Sequence, residues 1–145
     1  MPMSPGYIPF HPNPSKPKFK APPGAVCAHC HVFGPEAKFP FAPKRKYTPC
    51  DAPKEKLFAL RDFLGLDKNV IVQATCHDTD NRALVDALVN SNGKAKGVAF
   101  IGEDFDDERI LPAAHPKRAN ARILWMDGHR IGYQRLRLPA AAPVL

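Results

Sequence analysis

Residues 25–32, AVCAHCHV, alternate with a period of two, which predicts a strand. Val26, Ala28, Cys30 and Val32 are expected on one face of it, and Cys27, His29 and His31 on the other. Leu57, Leu60 and Leu64 recur at helical spacing and predict a helix over 52–64. Asp51 is the expected N-cap, Pro53 sits in the first turn, and Gly65 follows as the C-cap. Residues 69–75, NVIVQAT, predict a second strand. Its Val70-Ile71-Val72 run is apolar on both faces, as in a buried parallel strand. A second helix is predicted over 81–90, with Leu84, Val85, Leu88 and Val89 on one side and Asn92-Gly93 behind it. KGVAFI at 96–101 reads as a third strand. The acidic run 103–108 reads as the first turn of a further helix, where negative charge suits the dipole. This β–loop–α–β–α–β order implies a parallel sheet with right-handed crossovers, hence an α/β fold of about three βα units.

Proline and charge mark the boundaries. Eight of the 17 prolines fall in residues 1–24, which predicts an extended arm. None falls in 54–111. The net charge of +7 is uneven: residues 1–108 hold 14 Lys and Arg against 13 Asp and Glu. Residues 109–145 hold 7 against the single acid Asp127, and six of those seven are Arg. The periodicity stops after Glu108, so an irregular tail is expected. The three segments are thus a Pro-rich arm (1–24), a β/α portion (25–108) and a basic Arg/Ala/Pro-rich tail (109–145). A basic tail can also serve as a nucleic-acid arm.

At 145 residues the chain has room for one ordinary domain. A complete eight-fold β/α barrel takes about 250 residues. No apolar run approaches the roughly 18 residues of a membrane span, and the N-terminus lacks a signal-peptide pattern. The expected compartment is the cytoplasm, where Cys27, Cys30, Cys50 and Cys76 would be thiols.

His29 and His31 are the sharpest chemical feature. Two residues apart on a strand, they leave one face and can converge on one ligand or metal. The plainer alternative is a pair of histidines satisfied by backbone groups. The same stretch spells C-x-x-C-H, so a small haem- or zinc-binding module on CAHCH is an alternative. Regular alternation argues against it by pointing Cys27 and Cys30 to opposite faces. His77, with Thr75 and Cys76, follows the second strand, where β/α proteins place their sites. The plainer reading is a solvated loop that caps the next helix. Tyr47, beside Lys44, Arg45 and Lys46, could meet an anionic substrate, or simply sit in a solvated basic loop. Cys27 or Cys30 as a nucleophile lacks an orienting third group.

The strings AHCHVFGP and FPFAPKRKYTP, followed by NVIVQATCHDTDNRALVDA and GKAKGVA, resemble the N-terminal part of 2-pyrone-4,6-dicarboxylate lactonases of the amidohydrolase superfamily. The resemblance runs from about residue 15 to residue 108. It implies the first part of a TIM-type (β/α)8 barrel and a hydrolase that opens a pyrone dicarboxylate lactone in bacterial aromatic-acid degradation. His29 and His31 would polarise the lactone carbonyl, and Tyr47, Thr75 and His77 would contact the small dicarboxylate substrate. No cofactor is implied; zinc, if bound at all, would fall to His29 and His31. Cys27 stands where the superfamily often has Asp, which bears on how firmly His29 is oriented. The family's late aspartate, its arginine clamp and a mid-barrel histidine have no match in the chain. The abrupt turn to Arg, Ala and Pro after Glu108 leads to the expectation of a truncated or frameshifted product, inactive alone, with the remaining barrel in another reading frame. Uncovered sheet edges would favour oligomers. No membrane or nucleic-acid partner follows from the resemblance.

Overall fold

The computed structural model describes residues 2–100, 122–127 and 130–134, the last two segments as backbone strands. Five strands form one sheet in the order β1-β2-β3-β4-β5. They are β1 (Val26–Cys30), β2 (Lys68–Val72), β3 (Ala95–Phe100), β4 (Arg122–Asp127) and β5 (Arg130–Gln134). Neighbours from β1 to β4 are parallel, and β5 returns antiparallel to β4. Helix α1 (Lys54–Leu64) connects β1 to β2, and α2 (Arg82–Val89) connects β2 to β3.

Helix α1 starts later than Asp51. Pro53 is its N-cap, without a side-chain hydrogen bond. The Asp51 carboxylate instead accepts from the Glu36 amide at 2.9 Å, so the expected cap serves the preceding loop. Gly65 ends the helix as expected, at φ 71°, a left-handed conformation that glycine adopts without a Cβ penalty. The expected stripe is shifted by a residue: Leu57 and Phe58 pack on the core, whereas Leu60 is exposed.

The core lies on one side of the sheet. Ile71, Ala83, Leu84 and Ala87 are buried there with Val32 and Phe39. Alternation along β2 buries Asn69 and Ile71, while Val70 and Val72 on the other side are only half-buried. The sheet is therefore filled on its helix side and open on its second side. Gly97 of β3 lets α2 approach: a Cβ there would meet the Leu88 side chain at 2.6 Å and Leu84 at 3.2 Å. An ion-pair cluster ties the periphery together. Asp86 of α2 receives Lys54 of α1 at 2.6 Å and Lys38 of the preceding loop at 3.2 Å.

The tail was expected to be irregular, but Arg122–Asp127 and Arg130–Gln134 join the sheet. The run Ile123-Leu124-Trp125-Met126 is compatible with a parallel strand. Asp127 pairs with Arg130, so two residues connect the strands, and Gly128 as the first of them is a hairpin signal. The helix turn expected at 103–108 lies outside the described residues. In the N-terminal arm, the Ser4 amide donates to Thr48 O at 3.0 Å, and residues 8–20 are exposed throughout. Among the described residues, no helix is long and apolar enough to cross a membrane.

Leu84 is 2% exposed at the centre of the core. Leu84→Ala is expected to cost about 2–5 kcal/mol in urea unfolding. Val89→Ala, at a position 54% exposed at the end of the same helix, is expected to change stability by less than about 0.5 kcal/mol.

Candidate functional site

Because β1 and β2 are parallel, their C-terminal ends share one edge of the sheet. His29 lies near the end of β1 and His31 just beyond it. Their rings meet edge to face, with centroids 4.9 Å apart and planes at 79°. His31 Nδ1 lies 2.9 Å from the Val72 carbonyl. A carbonyl only accepts, so Nδ1 carries the proton and Nε2 is left to face outward chemistry. His29 is exposed and His31 half-buried. The expected convergence of the two histidines on one face is what the structure places.

Cys27 departs from that face. Cys27 pairs with Asn69 and Cys30 with Ile71, so β1 holds one residue more than β2 over this stretch. Such a bulge reverses the alternation beyond it. Cys27 and Cys30 leave the sheet on the same side, the helix side, and the histidines stand on the other. The argument that alternation separates the two thiols is therefore corrected. Cys30 donates to Val70 O at 3.3 Å. Burial, with Cys27 alongside, pushes its thiol up to about 12.

The loop after β2 forms a single 3₁₀ turn, Thr75–His77. Thr75 is exposed, whereas Cys76 is fully buried and His77 is 1% exposed. The Tyr47 phenol lies against the Thr75 and Cys76 side chains. Burial raises its pKa, so it stays a neutral donor, although Thr75 opposes the shift. Tyr7 of the N-terminal arm stacks on Tyr47 with centroids 6.2 Å apart. Phe33 joins the two groups of residues. Its ring is 5.8 Å from His31, and it packs on the cluster of Phe41, Ala74 and Cys76 that also holds Tyr47.

His77 stands apart from the other candidates. Its Nε2 accepts from the Gly34 amide at 3.1 Å, and its Nδ1 donates to Pro40 O at 3.3 Å. Both nitrogens are used, and Phe41 covers the ring at 5.0 Å. Gly34, at φ 68°, precedes a cis proline bond. A Cβ on Gly34 would collide with the Asp51 carboxylate, so only glycine suits this turn. Of the basic loop, Lys44 and Lys46 are exposed, while Arg45 turns inward to Ala42 O and Thr48 Oγ1.

Two polar residues beside these candidates, buried Gln73 and half-buried Asn81, had not been singled out from the sequence. Gln73 donates to Asp78 O and Asp80 O, at 3.0 and 2.9 Å, and holds the turn that presents Thr75. Asn81 bonds both backbone groups of Phe100, at 2.7 and 3.0 Å. A polar side chain amid apolar strand residues is the signal that marks Gln73. His29 and His31 offer two nitrogens, and among the described residues no group of three or more His, Cys, Asp or Glu side chains converges to hold a metal.

The amidohydrolase family model matches residues 26–125, continuing past Glu108, where the resemblance read from the sequence stops. The chain is 61% identical over 107 residues to a 2-pyrone-4,6-dicarboxylate hydrolase of Comamonas testosteroni, covering 74% of this chain and 35% of that protein. It is 44% identical over 80 residues to a 4-sulfomuconolactone hydrolase of Rhizobium radiobacter, covering 55% of this chain and 27% of that one. A crystal structure from Pseudomonas putida, described as a 2-pyrone-4,6-dicarboxylic acid hydrolase, matches with a TM-score of 0.56 and 30% identity. That match covers 68% of this chain and 35% of the other. The chain spans about a third of the length of the curated relatives it matches. Its βα units are the N-terminal portion of a TIM-type barrel.

Burial lowers the His77 pKa. The unfolded chain therefore binds the proton first, and stability present above about pH 6.5 is lost as pH falls through the depressed folded value. His77→Gln can accept from Gly34 and donate to Pro40 without titrating. Urea midpoints should fall from pH 7 to pH 5 in the native chain, and more shallowly in His77→Gln. Parallel slopes would contradict a buried neutral His77.

Proposed function

This chain belongs to the amidohydrolase family, and on that premise we propose that it carries the β1–β2 part of a lactone hydrolase site. The substrate we infer is 2-pyrone-4,6-dicarboxylate, or a closely similar anionic lactone. The observation that carries the reading is the parallel pairing of β1 with β2, which ends the His29–His31 strand beside the turn bearing Thr75. The high identity to the Comamonas hydrolase over this same stretch supports the substrate class.

His29 and His31 polarise the lactone carbonyl. With Nδ1 donating to Val72, His31 offers Nε2, which donates to the carbonyl oxygen when the ring is an imidazolium. Tyr47, a neutral phenol, and Thr75 hydrogen-bond the ring carboxylates. His77 acts as a positioning residue: it holds the loop through Gly34 and Pro40, and its buried nitrogens leave nothing to offer a substrate. Attack by water on the carbonyl needs a general base, which the family resemblance puts on a late strand. Loss of such a base commonly costs about 10²–10⁴ in rate, and groups that act as a unit fail together. Residues 26–100 are thus the part of the site that polarises the carbonyl and binds the carboxylates, not the part that supplies the base.

Adding 2-pyrone-4,6-dicarboxylate to the purified chain should shift the NMR ring signals of His29, His31 and Tyr47. The ultraviolet absorbance of the pyrone should fall no faster than in buffer. Unshifted histidines at saturating substrate would contradict the site. Turnover that disappears in His29→Ala/His31→Ala would show that these residues suffice without the late aspartate.

A further inference from the structure

The bulge in β1 brings together two thiols that regular alternation would separate. Cys27 stands opposite Asn69 and Cys30 opposite Ile71. Residues 69 and 71 share a face of β2, so their partners share it too. The two cysteine side chains are in contact there. Two steps of β2 span about 6.6 Å, which places the two cysteine Cα atoms near the upper end of the roughly 4.4–6.8 Å that a disulfide bridges. The sulfurs are held only by weak bonds. Cys27 Sγ donates to His29 O at 3.6 Å, and Cys30 Sγ bonds Val70 O at 3.3 Å and Asn69 Nδ2 at 3.7 Å. Sulfur is a poor donor and acceptor, so these bonds hold the thiols only weakly. Both thiols are half-buried rather than sealed, and β1 is the edge of the sheet. Cys30 packs against the core cluster, which leaves Cys27 as the sulfur a solution reagent meets first.

We propose that Cys27 and Cys30 form a reversible dithiol–disulfide site, oxidised by small-molecule disulfides such as oxidised glutathione. The Cys27 thiolate attacks one sulfur of the reagent, whose S–S bond breaks to release one glutathione thiolate, which takes up the Cys27 proton. The Cys30 thiol then attacks the Cys27 sulfur of the mixed disulfide as its proton passes to the departing sulfur, and the second glutathione leaves as a thiol. Two protein thiols are oxidised by two electrons, and one glutathione disulfide is reduced to two thiols. The closed bridge removes the S–H that Cys30 donates to Val70 O, keeps the sulfur as acceptor for Asn69 Nδ2, and clamps the segment on which His29 sits. The histidine site thus feels the redox state of the opposite face.

The test equilibrates the full chain in glutathione buffers of graded ratio, quenches with iodoacetamide and digests with trypsin. Residues 21–38 lie between Lys20 and Lys38 with no other cleavage site, so both cysteines fall in one peptide. In the folded chain this peptide should become two hydrogens lighter and resist alkylation, and dithiothreitol should reverse the change. Cys50 and Cys76 should stay reduced. Half-oxidation should need at least tenfold less oxidised glutathione than for the same residues as a free peptide, because the fold holds the thiols together. Cys30→Ser should stop at a mixed disulfide on Cys27. Oxidation no easier than in the free peptide, or appearing only after denaturation, would overturn the proposal.

Discussion

Parallel pairing of β1 with β2, one residue out of step, is the constraint on which the rest of the structure depends. Parallel strands deliver both C-terminal ends to one edge, and that alone puts the His29–His31 pair beside the loop bearing Thr75. The extra residue in β1 sets which side chains look where. Cys27, Cys30 and Val32 go to the helix side with Ile71, and the two histidines go to the half-open side with Val70 and Val72. The hydrogen bond from His31 to Val72 O then fixes a ring tautomer through the same strand pair. The apolar core packs on one side of the sheet, and the histidine pair stands on the other.

Around this pair, irregular backbone is held by polar side chains, buried at His77 and Gln73, half-buried at Asn81 and exposed at Asp51. His77 reaches Gly34 and Pro40, Asp51 reaches Glu36, Gln73 holds Asp78 and Asp80, and Asn81 clasps Phe100. Each replaces a ladder or helix bond that a loop cannot make, and a buried polar group left alone would cost about 1–3 kcal/mol. The loop after β2 is hydrogen-bonded at its base and exposed at Thr75. Thr75 is open to solvent, and the two residues after it are buried.

Much of this architecture was legible in the residues. Period-two and helical spacing located β1 to β3, α1 and α2, because each of these elements buries one face against a shared core. The spacing of His29 and His31 foretold that their rings meet, since two side chains two residues apart share a strand face. What stayed hidden depends on long-range contacts. Alternation cannot show a bulge, which exists only in the register with a partner, so Cys27 was put on the wrong face. Asp51 matches a helix cap locally, but the Glu36 amide competes for it. The bonds of His77 to Gly34 and Pro40 come from a loop 43 and 37 residues earlier, beyond the reach of local pattern. The strands at Arg122–Gln134 were masked by Arg-rich composition, although Gly128 and the apolar run before it were local signals.

The central claim is the register, and interstrand proton contacts across β1 and β2 test it most directly. In a uniformly labelled sample, the structure predicts backbone NMR contacts joining Cys27 to Asn69 and Cys30 to Ile71, with ring contacts between His29 and His31. A ladder that advances one residue at a time, joining Cys30 to Val72, would contradict it. That register would return Cys27 to the histidine face and take away the geometry on which both the site and the thiol pair rest.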